Sequence, residues 1–78
     1  MTPSILEDLN QLDIQIFRSI ESHPGLSSLT DIEFHSSEKH IRLRGRVNSF
    51  FEKQLIQETV RSFDQERNIE NDVQVSWT

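Results

Sequence analysis

Two strictly alternating runs, residues 31–35 and 41–47, stand five polar residues apart near the middle of the chain. Alternation of apolar and polar residues is the signature of a strand with one buried face. Ile32 and Phe34 share one parity in the first run. Ile41, Leu43, Gly45 and Val47 share one in the second. A connection through residues 36–39 makes the two runs a hairpin. Pairing Phe34 with Ile41 and Ile32 with Leu43 puts all four on one face. That register opposes Glu33 to Arg42 and Asp31 to Arg44. A slip of one residue would oppose apolar side chains to arginine.

Helical periodicity surrounds the hairpin. Ile5, Leu6, Leu9, Leu12, Ile16, Phe17 and Ile20 recur at helical spacing before it, and Pro24-Gly25 ends the run after Ser22. Ser4 with Glu7 fits a capping box, and Thr2-Pro3 is a competing start. After the hairpin, Ser49 with Glu52 forms another capping box, and Phe51, Leu55, Ile56, Val60 and Phe63 form an apolar stripe. Residues 69–77 alternate again, with Ile69, Asn71, Val73, Val75 and Trp77 on one side. The expected architecture is α+β: an α-β-β-α-β two-layer sandwich whose three-stranded mixed sheet is covered on one face by two helices. A right-handed crossover through the second helix sets the last strand parallel to the second.

Size and composition then limit function. The 78 residues make one domain, with 1–9 as an alternative N-terminal extension. A chain of this length buries about 60% of its unfolded surface, which leaves little room for an enclosed active site. Leu, Ile, Val and Phe make up 24 of the 78 residues, too many for a disordered chain. The absence of cysteine excludes disulfides and thiolate metal sites. There is no secretory leader pattern and no apolar stretch long enough to span a membrane, so a cytoplasmic location is expected. The net charge of −5 makes nucleic acid an unfavoured partner. No nucleotide-binding fingerprint, RNA-binding motif or nucleophile constellation is present, so neither an enzyme nor a cofactor is expected.

Several side chains stand out. Arg42, Arg44 and Arg46 form a row on the solvent face of the second strand, and Lys39 and Lys53 extend it; these are five of the eight basic residues. Such a row suits an anion, whether a lipid head group, phosphate or an acidic partner. Cross-strand pairing with Asp31, Glu33 and Asp72 is the plainer account. Arg46 lies beyond the expected start of the first strand and so lacks an acidic partner. Phe50 lies opposite the helical stripe, beside Arg46 and Lys53, where an aromatic can pack locally or meet a membrane interface or a partner. Gly45, on the core side of a strand, marks a bulge or a tightly packed neighbour, a helix being the favoured one. Asn71 has core parity and is expected to satisfy backbone groups in the preceding loop. His35 and His40 oppose each other in this register but lack a ligand set with motif spacing, so no metal is assigned. Asp13 falls in the apolar stripe of the first helix, which points either to a perturbed acid or to a wrong boundary; the latter is favoured, with Asn10 or Asp13 as the cap.

The run Gly45-Arg46-Val47-Asn48-Ser49, then Lys53, then Ile69-Glu70-Asn71-Asp72-Val73-Gln74-Val75 resembles the BON domain family. That family has glycine, valine and serine at alternate positions before a helix and a final strand of the form valine-x-asparagine-x-leucine-x-valine. Ile16, Ile20, Pro24 and Leu26 fit its first helix and turn, so the likeness covers roughly residues 10–77. The chain departs from it at residues 64–68, where the family has a glycine, and at Ile56 and Ser19, where it has alanines. The resemblance implies a non-enzymatic module that binds phospholipid or another anionic ligand. The alternative is a protein-interaction or assembly domain, homodimeric or with another protein, that uses the open sheet face or an edge.

Overall fold

A computed structural model describes residues 11–76. The element order is α1 (Gln11–Glu21), a short 3-10 turn (Pro24–Leu26), β1 (Thr30–Ser36), β2 (His40–Val47), α2 (Phe50–Phe63) and β3 (Asn68–Val75). The expected α+β sandwich is the observed one. The expectations for Ser4, Ile5, Leu6, Glu7, Leu9 and Trp77 lie outside the described residues.

Each helix follows from its sequence. Ile16 and Ile20, one turn apart, are fully buried on the core side of α1. Pro24 cannot continue the helix, and its 3-10 turn is capped by the His23 ring, whose Nδ1 accepts the Gly25 N–H at 2.9 Å. α2 starts where Ser49 turns its hydroxyl back to accept the Glu52 N–H at 3.2 Å. The reciprocal half of the capping box is not made. Glu52 instead receives the hydroxyl of Ser28, which also accepts the Asn48 N–H at 3.0 Å.

The sheet order is β1, β2, β3, with β1 antiparallel and β3 parallel to the central β2. Ten described apolar residues are buried between sheet and helices, among them Phe34, Ile41, Leu43, Val47, Ile56, Val60 and Val73. Each contributes about 1.5–3 kcal/mol. Phe17 of α1 meets Phe34 of β1 edge-on at 5.9 Å.

The hairpin register differs from the expectation by two residues. Phe34 pairs with Leu43, Ser36 with Ile41, Glu33 with Arg44 and His35 with Arg42. A shift of two keeps every side chain on its face, so the apolar pattern cannot detect it. The turn decides instead: Ser37 N–H donates to the His40 carbonyl at 2.8 Å, and the Ser37 hydroxyl accepts the His40 N–H at 3.2 Å. Only Glu38 and Lys39 are left to form the bend. The two histidines therefore do not face each other. β1 is not a strict alternation either, because a bulge lies between Thr30 and Glu33, with Asp31 at φ 55°.

Gly45 sits against this bulge rather than under a helix. Its φ is 156°, and a Cβ there would meet the Thr30 carbonyl oxygen at 3.0 Å and Ile32 Cα at 3.4 Å. The glycine is what lets the kinked backbone of β1 lie against β2.

Candidate functional site

The sheet face turned away from the helices carries three ranks of side chains. β1 contributes Glu33 and His35, β2 contributes His40, Arg42, Arg44 and Arg46, and β3 contributes Glu70, Asp72 and Gln74. In register, Arg42 stands beside Glu70, Arg44 between Glu33 and Asp72, and Arg46 between Thr30 and Gln74. The arginine row is real, but its surroundings change along its length.

At one end the charge is neutralised. Arg42 Nε donates to Glu70 Oε2 at 2.8 Å and lies 3.8 Å from Asp72 Oδ2. The hydrogen bond and the charge of Glu70 raise the Arg42 pKa. His40 Nδ1 approaches Glu70 at 4.0 Å, and His35 Nε2 approaches Glu33 at 3.6 Å. Arg42 is therefore already engaged in a surface ion-pair network. Among the described residues no group of His, Asp and Glu could hold a metal ion.

The other end is different. Arg44, Arg46 and Lys53 make no ion pair with any described residue, and Arg46 has neutral neighbours on both strands. β1 does reach Arg46, through Thr30, so the expected absence of a first-strand neighbour is corrected; the neighbour is simply uncharged. Arg44, Arg46, Lys53 and Phe50 line one shallow concavity, together with Arg42 and the carboxylates of Asp31, Glu33 and Asp72, that runs from the open face toward the first turn of α2. Phe50 is 65% exposed. Phe51, expected in the buried stripe, is 71% exposed, and Phe63 is 38% exposed. The reason is angular: at 100° per residue Phe51 stands about 140° around the helix from Ile56, which is fully buried. Phe63 is on the correct side but at the last residue of α2. The one carboxylate of this turn, Glu52, is drawn to the Ser28 hydroxyl.

Asn71 works on backbone groups, though not those of the preceding loop. Its Nδ2 donates to the Lys53 carbonyl at 2.9 Å, and its Oδ1 accepts the Val73 N–H at 3.3 Å. It ties α2 to β3 beneath the concavity.

A second polar cluster was not expected. Asp13 lies within α1, 2% exposed, and is not a cap. Its Oδ1 accepts from Arg67 Nη2 at 2.6 Å, and its Oδ2 accepts the Ser36 hydroxyl at 2.7 Å. Arg67 Nε donates to Asp64 Oδ2 at 2.5 Å, and Asp64 Oδ1 accepts the N–H groups of Glu66 and Arg67 at 2.9 and 3.1 Å. Burial pulls the Arg67 pKa down, but the bonds to Asp13 and Asp64 outweigh it and the net shift is upward. The Arg67 bond and the two N–H groups pull the Asp64 carboxyl down to about 2. This clamp joins α1, the hairpin end and the entry to β3. The sequence carried one signal for it: an acid on a core face needs a base, and outside the arginine row and its two flanking lysines the basic residues are Arg18, Arg61 and Arg67.

No helix among the described residues is long and apolar enough to cross a membrane. No protein-family model matches the chain, and no curated protein matches it either.

Proposed function

We propose that the chain is a non-enzymatic binding module that meets an anionic ligand at the end of its open sheet face, through Arg46, Lys53 and Arg44, with Phe50 as an apolar flank. One observation carries this reading: Arg46, Lys53 and Arg44 make no ion pair with any described residue, and Arg46 has neutral neighbours on both strands, whereas Arg42 is already paired. An arginine with neutral neighbours offers its donors to an incoming phosphate or carboxylate without first breaking an ion pair. An exposed phenyl ring beside cations suits the boundary between lipid head groups and acyl chains, so an anionic phospholipid surface is the favoured ligand. The resemblance to the BON family points the same way.

The test is an amide-shift titration with anionic and zwitterionic bicelles at two salt concentrations. Anionic bicelles should shift Arg46, Phe50 and Lys53, and less so in high salt, because exposed charges are screened over about 8 Å at physiological ionic strength. Arg46→Ala with Lys53→Ala should remove the response, while Arg42→Ala should keep it. Equal shifts with both lipids, or none, would sink the reading.

A further inference from the structure

Among the described residues, a three-stranded sheet in the order β1, β2, β3 leaves β1 and β3 each with one side unpaired. Such edges accept strands from other chains unless something blocks them. The two edges here are not alike. β1 is bent by its bulge at Asp31, and a bulge is one of the devices that spoil an edge for pairing. β3 runs beside β2 in unbroken register from Asn68 to Val75, with no bulge, proline or lysine.

In a parallel ladder, alternate residues of a strand bond to the neighbour. Asn68 N–H donates to the Lys39 carbonyl and Ser76 N–H to the Val47 carbonyl, each at 2.9 Å, which fixes the phase. Even-numbered residues of β3 bond to β2. The N–H and C=O groups of Ile69, Asn71, Val73 and Val75 therefore point away from the sheet. Among them the Val73 N–H is covered by the Asn71 side chain at 3.3 Å.

We infer that this edge takes up an extended segment of a different protein as a fourth strand, and that the segment carries lysine or arginine at alternate positions. Charge selects the partner. Side chains of a docked strand on the open face would stand about 5 Å from Glu70 and Asp72. Both carboxylates remain about half exposed although Arg42 touches each. The β3 of a second copy would set Glu70 and Asp72 near the same two residues, and the β1 of a second copy would bring Glu33. Like charges placed opposite weaken strand pairing. The basic strand of this chain, β2, is paired on both sides and is not available to a copy. The complementary strand thus belongs to another molecule. Main-chain bonds supply its affinity and the alternating cations its specificity.

The test uses the full chain and two end-blocked peptides, one alternating lysine with valine and one alternating glutamate with valine. The lysine peptide should slow hydrogen exchange at Ile69, Asn71 and Val75, and the glutamate peptide should not. Val75→Pro removes an outward N–H without touching a bond to β2, and should weaken docking about tenfold, the equivalent of one ladder bond. Glu70→Gln with Asp72→Asn leaves the backbone intact and should weaken it as well. Arg46→Ala should leave it unchanged, so this inference and the anionic-ligand reading stand or fall separately. Protection by neither peptide, by both alike, or at amides away from β3 would overturn it.

Discussion

At the scale of single residues, two positions hold the design together, and each makes a prediction. Gly45 has a backbone angle that L side chains rarely adopt, and a neighbour's carbonyl oxygen stands 3.0 Å from where its Cβ would be. Gly45→Ala should cost about 1–3 kcal/mol in urea unfolding, the usual cost of an enforced backbone conformation. A loss of only a few tenths would mean that the β1 bulge relaxes freely. Arg67 neutralises the buried Asp13. Arg67→Met should cost about 3–5 kcal/mol, because it strands a carboxylate in the core, whereas Asp13→Leu together with Arg67→Met should recover much of the loss. If the double variant were no better than the single one, Arg67 would be contributing packing rather than charge. Asp13 also shows how far one residue can be read from sequence. Its core-facing position was plain from helical spacing. Its partner was not, because the two are 54 residues apart and only the folded chain brings them together.

At the scale of elements, alternation and helical spacing named the five elements, because burial of one face is a local demand repeated every two or 3.6 residues. They could not set the hairpin register, since a two-residue shift leaves every face unchanged. That choice fell to Ser36 and Ser37, whose hydroxyls bond to Asp13 and the His40 backbone. The candidate site was legible in part for the same reason. The arginine row follows from parity, but which arginine is neutralised depends on β3, where Glu70 lies 28 positions from Arg42. Phe51 was misplaced because a stripe drawn through Leu55 drifts off the line set by Ile56 and Val60, the buried residues of α2. The start of α2 is both a structural joint and the rim of the proposed site. Ser49→Ala should therefore cost about 1 kcal/mol of stability and weaken anionic-bicelle binding in parallel, as the first turn carrying Phe50 and Lys53 frays. Thermal melts and titrations on the same sample check this, and a stability loss with unchanged binding would separate the cap from the site.

At the scale of the whole molecule, the clamp of Asp13, Arg67 and Asp64 matters because the core is thin and domains of this kind are stable by only about 5–15 kcal/mol. It ties α1, the hairpin end and the α2–β3 connection into one unit, so its titration should be visible in global unfolding. The Asp64 carboxyl ionises at about 2 in the folded protein and near its ordinary value of about 3.9 in the unfolded chain. A depressed folded value means that the ionised form favours folding. The contribution is complete above about pH 4 and disappears as pH falls toward about 2. Asp64→Asn lacks the titrating group at every pH. Its deficit relative to the parent protein should hold steady above about pH 5 and shrink between about pH 4 and pH 2, as the parent loses what the variant never had. Melting temperatures of the two proteins across that range decide the matter. A gap that closes with acid assigns the effect to the Asp64 carboxylate and its bond to Arg67. A gap that stays constant would show that Asp64 acts through its shape in the loop, with its charge contributing nothing to the clamp.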